Sequence, residues 1–291
     1  MNKLAFIGLG NMGSGMAKNL VEREFPVVAY DLNETALDNA KSFGCQIASS
    51  AQQAVKDAEI VITMLPAGKH VKALYEGDIL NNVSPHTLLI DCSTIDVATA
   101  KYVATLAKEK QLAMLDAPVS GGTSAASAGT LTFMVGGDTE AFNQAKDVLN
   151  AMGKNIIHAG EHGAGQGAKI CNNMLLGASM IATCESFQLA QKLGLDPQVF
   201  YDIASNASGQ TWSMTRYCPV QGVGPDSPAD HEFNGGFASA LMLKDLNLAM
   251  KGARSVSADV PMGERAAALF AEHCDNGNSA LDFSSIINKF T

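Results

Sequence analysis

The sequence predicts two domains, an α/β domain with a doubly wound, mostly parallel sheet and then an all-α domain. Its 291 residues suit about two domains of roughly 150 residues each. Short β-branched runs alternate with helical stretches in the first half, and little strand signal remains beyond His158. Alternating strands and helices form a mostly parallel sheet with helices on both faces.

Strand-length apolar runs and helical periods define the elements of the first domain. The helical segments Asp96–Lys110 and Asp138–Met152 each begin with an acidic residue, which the helix dipole favours at an N-terminus. The expected strands are Leu4–Ile7, Val27–Tyr30, Glu59–Met64, Thr87–Asp91, Leu112–Asp116, Leu131–Val135 and Asn155–His158.

A long apolar helix over Gly165–Leu193 is expected to join the two domains. Apolar residues occupy nearly every side of it, which is typical of a helix buried between domains or in a subunit interface. We therefore expect the α/β domain to span 1–163, a helical domain that also serves oligomerisation to span 164–291, and the chain to form a homodimer or homotetramer. The later helices are predicted at Pro197–Ser205, Ala240–Ser255 and Pro261–Cys274.

Composition excludes several classes of protein. With 29 acidic and 20 basic residues the net charge is −9. The chain therefore lacks the excess of basic residues that binds the phosphates of nucleic acid. Six scattered cysteines without a C-x-x-C pair are typical of free thiols in a reducing compartment, and no metal site is expected. No run has the length of a membrane span or the pattern of a secretory signal, so we expect a cytoplasmic protein.

A glycine-rich loop follows the first predicted strand and opens a helix. In such a G-x-G-x-x-G loop the glycines permit a tight turn, close approach of a pyrophosphate and packing of the helix on the strand. Asp31 lies near the spacing at which a carboxylate binds the adenosine ribose, and it would repel a 2′-phosphate. The pattern predicts a Rossmann-type domain that binds NAD, against the alternative of a glycine-rich turn without a ligand. The loop residues are Gly8, Leu9, Gly10, Asn11, Met12 and Gly13.

Two further segments carry polar groups suited to chemistry. Ser120, Gly121 and Gly122 follow another strand and offer a hydroxyl and a backbone nest for a carboxylate, or form only a tight turn. Lys169 and Asn173 lie four apart on one face of the long helix. A helical lysine is usually solvated, but burial among apolar neighbours favours its neutral form, which can accept a proton.

Four regions of the chain together resemble the signature regions of the β-hydroxyacid dehydrogenase family: FIGLGNMGSGMAKNL, DAPVSGGTSAASAGTLTFMVGG, GAGQGAKICNNMLLG and LMLKDLNLAM. The resemblance implies that Lys169 is the catalytic acid and base and that Asn173 binds the substrate beside it. It also implies that Ser120, Gly121 and Gly122 hold the substrate carboxylate and that Lys244 lies near the nicotinamide.

The same resemblance implies further residues around the cofactor and the substrate. Leu65, Pro66, His70 and Thr94 are expected in the cofactor cleft, although asparagine is common in the family at the position of His70. Trp212 and Phe237 are expected walls of the acyl pocket, and Trp212 is equally open to interpretation as a core or interface anchor.

C-terminal stretches around Trp212, Pro219 and Phe237 resemble the 3-hydroxyisobutyrate dehydrogenase branch of that family. This implies NAD-dependent, reversible oxidation of (S)-3-hydroxyisobutyrate to methylmalonate semialdehyde, with the small hydroxy acid as partner and no metal. One alternative is another family member that acts on tartronate, succinic or glyoxylate semialdehyde. The other is a non-catalytic dinucleotide-binding module.

Overall fold

The computed structural model describes residues 3–290, and its contacts divide the chain into two compact units. The first unit ends at Lys169 and the second begins at Ile170. The division therefore falls inside the helix Ala164–Lys192, whereas the expected domains met just before that helix. Residues 1, 2 and 291, which the expected domains include, lie outside the described residues.

The first unit is built on a mostly parallel sheet, as predicted. Its order is β3-β2-β1-β4-β5-β6-β8-β7, with β9 paired to β8. Strands from β3 to β6 are parallel, and β8 pairs antiparallel with β6 and β7. The strands are β1 (Leu4–Ile7), β2 (Val27–Tyr30), β3 (Gln46–Ile47), β4 (Ile60–Thr63), β5 (Leu88–Asp91), β6 (Ala113–Asp116), β7 (Val119–Ser120), β8 (Leu131–Gly136) and β9 (Gly153–Gly160).

Helices connect these strands and cover the sheet. Asp96 caps one of them, because its carboxylate accepts a hydrogen bond from the Thr99 amide at 3.2 Å, in agreement with the acidic start expected there. Tyr75–Ile79 forms a π-helical turn. The helices of this unit are α1 (Gly13–Glu22), α2 (Glu34–Ser42), α3 (Ala51–Val55), α4 (Gly68–Leu74), α5 (Val97–Glu109), α6 (Gly122–Ala128) and α7 (Thr139–Met152).

The sheet is buried on both faces. Along β1, Leu4 and Phe6 pack into one apolar cluster, while Ala5 and Ile7 pack into another. Because successive side chains of a strand point to opposite faces, the two clusters lie on the two sides of the sheet. The carboxyl ends of β1, β4, β5 and β6 consequently share one edge, where Ile7 pairs with Thr63, Thr63 with Asp91 and Asp91 with Asp116.

The second unit is helical, as predicted. Gly177 lets α8 approach α11 closely, because a Cβ at this position would lie 3.1 Å from Leu246 and 3.2 Å from the Met242 sulfur. Pro228–His231 and Phe283–Lys289 are 3₁₀ segments, and Cys274–Asn278 is a π-helical turn. The helices are α8 (Ala164–Lys192), which crosses from the first unit, α9 (Pro197–Ala204), α10 (Trp212–Thr215), α11 (Ser239–Ser255) and α12 (Pro261–His273).

Within a single copy of the chain α8 is not buried on every side, and its burial in a subunit interface stays a prediction. Leu175 is 68% exposed and Leu189 is 59% exposed, so one side of the helix meets solvent. Apolar composition alone cannot reveal which side of a helix has no neighbour within the chain. Within residues 3–290, no helix combines the length and the apolar character that a membrane span requires.

Asn19 provides a test of how α1 is held against α6. Its side-chain amide donates to the carbonyls of Gly15 and buried Ala126, both at 2.7 Å. We expect Asn19→Ala to lower the free energy of unfolding by about 1–3 kcal/mol, since a buried carbonyl loses its donor. Asn39→Ala, on α2, removes only an exposed bond to Ser14 and should change stability by less than about 0.5 kcal/mol. Urea denaturation of both variants measures the difference, and equal losses would contradict this role of Asn19.

Candidate active site

The glycine-rich loop has the geometry of a pyrophosphate-binding turn. Gly8 has a φ of +98°, and a Cβ there would lie 2.3 Å from the Met64 carbonyl oxygen. A Cβ on Gly13 would lie within 2 Å of the Gly8 carbonyl oxygen, whereas a Cβ on Gly10 would meet nothing within 4 Å. The first and third glycines therefore permit backbone contacts, and the second leaves open space for an approaching phosphate. These features fit a bound dinucleotide.

Asp31 is tied directly to this loop. One of its carboxylate oxygens accepts from the Leu9 amide at 2.6 Å, and the other accepts from the Asn33 amide at 2.8 Å. A carboxylate offers about four acceptor positions, so Asp31 retains capacity for ribose hydroxyls. Of the other loop residues, Leu9 buries its side chain in the core, Asn11 is exposed and Met12 is half-buried. The Leu9 side chain is therefore buried away from a ligand, and the Leu9 amide is already bound to Asp31.

Ser120 lies in a strand, which the sequence did not predict. It pairs with Thr132 across β7 and β8, so the turn is made by the two glycines that follow it. Gly121 and Gly122 follow with φ values of +133° and +69°, a conformation that favours glycine. The chain thus turns sharply from Ser120 into α6, which leaves the first amides of that helix without intrahelical acceptors.

The residues expected in the cofactor cleft occupy the carboxyl edge of the sheet. Leu65 and Pro66 follow β4, and Thr94 follows β5. Leu65 and Thr94 are half-buried, and Pro66 is exposed. The structure thus brings Leu65 and Thr94 close to the glycine loop's edge, because β4 lies beside β1 and β5 beside β4. His70 is exposed on α4.

A buried polar chain that the sequence did not reveal lies beneath this edge. The Tyr75 and Thr63 hydroxyls are 3.1 Å apart, Thr63 donates to Asp91 at 2.8 Å, and Ser93 donates to Asp91 at 2.6 Å. Burial raises the pKa of Asp91 to about 6, although the bonds from Ser93 and Thr63 favour its charged form. Ser93 also accepts from the Leu65 amide at 2.8 Å. This chain therefore links the segments that follow β4 and β5.

Lys169 and Asn173 are both buried on α8, with 7% and 2% exposure. Their spacing of four residues places them on one side of the helix. The Asn173 amide donates to Asp245, on α11, at 2.6 Å, and Asp245 is itself 2% exposed. The Lys244 amine lies 3.2 Å from the other carboxylate oxygen of Asp245. Sequence reasoning singled out Lys244 but gave no role to Asp245, whose carboxylate orients the Asn173 amide.

Trp212 and Phe237 belong to one aromatic cluster of the second unit. Trp212 stacks on Tyr217 at a centroid distance of 4.9 Å, and Tyr217 and Phe237 both contact Phe283. Asp282 accepts from the Tyr217 hydroxyl at 2.8 Å and from the Phe237 amide at 2.7 Å. Trp212 is 50% exposed, so its interpretation as a core anchor is wrong.

Comparisons with known proteins agree with this architecture. Residues 3–160 match the model of the NAD-binding domain of 6-phosphogluconate dehydrogenase. Residues 163–290 match the model described as the NAD-binding domain of NADP-dependent 3-hydroxyisobutyrate dehydrogenase. The fold and the glycine loop therefore define an NAD(P)-binding oxidoreductase.

Similar proteins extend over almost the entire chain. A 3-hydroxyisobutyrate dehydrogenase of Pseudomonas aeruginosa is 50% identical, covering 98% of this chain and 97% of its own. An NAD-dependent L-serine dehydrogenase of the same organism is 45% identical, covering 100% and 98%. The solved structure of a Mycobacterium tuberculosis 3-hydroxyisobutyrate dehydrogenase with L-serine has a TM-score of 0.96 and 45% identity, with 99% of each chain covered. This chain belongs to the 3-hydroxyisobutyrate dehydrogenase family.

Cofactor choice can be tested at the end of β2. Leu32 is 90% exposed beside Asp31, so an arginine at this position would reach solvent and a 2′-phosphate. We expect Asp31→Ser combined with Leu32→Arg to raise the NADP to NAD ratio of kcat/KM by about tenfold or more, because a repulsion is removed and a partner is added. Leu32→Arg alone is the matched control and should change the ratio less. An unchanged ratio in the double variant would contradict the role of Asp31.

The Asn173–Asp245 bond provides a second test. We expect Asp245→Ala to lower kcat/KM for the hydroxy acid by about 10–100-fold, because the Asn173 amide loses the carboxylate that orients it. The Kd for NAD should stay within about threefold of the wild-type value. Asp259→Ala, which replaces an exposed aspartate of the same unit, is the control. Wild-type kcat/KM in Asp245→Ala, measured by NADH absorbance, would show that Asn173 needs no such partner.

Proposed function

We propose that this chain catalyses the reversible, NAD-dependent oxidation of (S)-3-hydroxyisobutyrate to methylmalonate semialdehyde. The observation that carries the proposal is the burial of Lys169 and Asn173 on one side of α8, with the Asn173 amide bound to Asp245. A lysine is among the least often buried residues. Buried beside an oriented amide, Lys169 is suited to proton transfer rather than to solubility. The 50% identical relative supports the choice of substrate.

In oxidation, the neutral Lys169 amine takes the proton of the substrate hydroxyl. A bound NAD would supply the acceptor for the hydride of the carbinol carbon and, in its reduced form, the hydride for the reverse reaction. In the reverse direction the Lys169 ammonium donates its proton to the oxygen of the aldehyde as the alcohol forms. Asn173 holds that oxygen beside Lys169, and general acid–base assistance of this kind contributes typically about 10²–10⁴-fold to the rate.

The remaining residues bind and orient the two ligands. Ser120, Gly121 and Gly122 bind the substrate carboxylate through the hydroxyl and the amides at the start of α6. Gly8, Gly10, Gly13 and the start of α1 bind the pyrophosphate, with Leu65, Pro66 and Thr94 along the cofactor and His70 at its margin. Lys244 is assigned to the nicotinamide side, and Trp212 and Phe237 to the wall that meets the substrate's methyl group.

NAD is proposed over NADP on electrostatic grounds. Asp31 presents a carboxylate next to the glycine loop, and exposed Leu32 offers no charge to balance a 2′-phosphate. The model that matches the second unit is described for an NADP-dependent enzyme, but the adenosine ribose is bound by the first unit in a Rossmann domain. The residues at the end of β2 are therefore the better guide to the choice of cofactor.

L-serine oxidation is the second candidate, because one relative is named an L-serine dehydrogenase. L-serine and 3-hydroxyisobutyrate share a carboxylate and a primary alcohol, and they differ in an ammonium or a methyl group at the central carbon. An aromatic wall favours the methyl group, because an ammonium loses hydration when it is buried. Cation–π attraction to Trp212 offsets only part of that cost, about 0.5–2 kcal/mol.

Assembly as a homodimer or homotetramer remains a prediction.

Replacement of Lys169 tests the mechanism. We expect Lys169→Ala to lose at least about 10²–10⁴-fold in kcat, because no other group takes the hydroxyl proton. The Kd for NAD should be nearly unchanged. Lys169→Arg retains the positive charge but cannot be deprotonated, so it should be as inactive as Lys169→Ala in the oxidative direction. Turnover close to wild type in either variant would contradict the assignment.

A substrate panel tests the choice of substrate. With 3-hydroxyisobutyrate, L-serine, D-glycerate and 4-hydroxybutyrate compared by NADH absorbance, kcat/KM should be at least about tenfold higher for 3-hydroxyisobutyrate than for L-serine, a difference of about 1.4 kcal/mol. A higher value for L-serine would favour the second candidate. Binding of NAD without turnover of any member of the panel would favour a non-catalytic module.

A further inference from the structure

The first turn of α8 is fastened to the end of β6 by a side chain from outside the helix. One Asp116 oxygen accepts from the Gly163 amide at 2.7 Å, and the other accepts from the Gln166 amide at 2.9 Å. These amides belong to the group that no intrahelical carbonyl can satisfy. Burial raises the pKa of Asp116, while the two amides favour its charged form. Asp116 therefore caps the helix that carries Lys169.

Gln166 makes a second, independent attachment through its side chain. Its side-chain amide donates to the Ser93 carbonyl at 2.7 Å, and its side-chain oxygen accepts from the Ile95 amide at 3.0 Å. Gln166 is fully buried. It thus satisfies the backbone groups on either side of Thr94, much as a neighbouring strand would. Thr94 is the residue of this segment that we assign to the cofactor cleft.

The attachment continues to the segment that follows β4. Ser93, whose carbonyl binds Gln166, uses its hydroxyl to accept from the Leu65 amide and to donate to Asp91. Gln166 and the Ser93 hydroxyl together therefore join three parts of the first unit: the end of β4, the end of β5 and the start of α8. The start of α8 packs closely on the ends of β6 and β8, because a Cβ on Gly165 would lie 2.4 Å from the carbonyl oxygens of Asp116 and Met134.

We propose that Gln166 is a positioning residue, which fixes the distance between the Thr94 segment and the turn of α8 that carries Lys169. The proposal rests on the proposed function in taking Lys169 as the proton acceptor and Thr94 as a cofactor contact. Lys169 is three residues beyond Gln166, so the two share one side of the helix. A shift of this turn moves the Lys169 amine relative to the Thr94 segment. Misplacement of a reacting group by about 1 Å costs about 10²-fold in rate.

Gln166→Met is the main test, because it keeps the length of the side chain and removes both hydrogen bonds. Gln166→Asn, which remains polar, is the second variant and guards against a failure to fold. Asn19→Ala is the matched control, since it weakens the same unit outside this attachment. All three are measured at a temperature at which unfolding curves show them fully folded.

Positioning predicts a specific division of effects. In both Gln166 variants kcat should fall by about 10–100-fold, with KM for the hydroxy acid and Kd for ADP-ribose within about threefold of wild type. ADP-ribose probes only the half of the dinucleotide bound by the glycine loop. Hydrogen exchange at the Ile95 amide should quicken in Gln166→Met, because its acceptor is gone, and stay unchanged in Asn19→Ala. If Gln166 only stabilised the fold, Asn19→Ala would lose as much kcat as the Gln166 variants for an equal loss of stability. That result would overturn the proposal.

The proposal and the proposed function can fail separately. Rates are measured with whichever member of the panel the wild-type chain oxidises, so the positioning role does not depend on the identity of the substrate. If the wild-type chain oxidises no member of the panel, the proposed function is overturned. The role of Gln166 is then tested by the binding of NADH. Gln166→Met should weaken NADH relative to ADP-ribose by about threefold or more, the value of one hydrogen bond. An equal effect on both ligands overturns the positioning role.

Discussion

The contact between the Asp116 carboxylate and the first turn of α8 is the interaction on which the rest of the site depends. It joins the end of a buried strand to the start of the helix that bears Lys169. A carboxylate at a helix N-terminus accepts from unsatisfied amides and is favoured by the helix dipole. Since Lys169 lies only one turn further along, this contact and the Gln166 side chain determine where its amine can be.

The same edge of the sheet supplies the groups for the dinucleotide. Strand order places β1 between β2 and β4, so the strand order reverses beside the glycine loop, where open α/β sheets bind ligands. Glycines permit the close contacts that this arrangement needs. Gly8 lets the loop lie against the Met64 carbonyl, Gly13 lets the start of α1 contact the Gly8 carbonyl, and Gly165 lets α8 meet the sheet. The buried chain from Tyr75 to Ser93 then holds the segments after β4 and β5 together.

Local signals in the sequence predicted those features that depend on neighbouring residues. The strand, glycine loop and helix from Leu4 to Glu22 have characteristic spacing, so their positions and the role of Asp31 could be inferred. The hydrogen bonds of Gln166, Asp245 and Asp282 could not be inferred in this way, because each joins residues far apart along the chain. Gln166 bonds to Ile95 across 71 positions and Asn173 to Asp245 across 72. Strands β3 and β7 are too short for a periodic pattern, and the exposed side of α8 depends on packing that composition does not record.

A structure of the wild-type chain with NADH and (S)-3-hydroxyisobutyrate tests the central claim most directly. The account predicts that the Lys169 amine lies within about 2.6–3.2 Å of the substrate hydroxyl, with the Asn173 amide still bound to Asp245 and the substrate carboxylate at Ser120. A substrate hydroxyl bonded to another titratable group, with the Lys169 amine beyond hydrogen-bond reach, would contradict it.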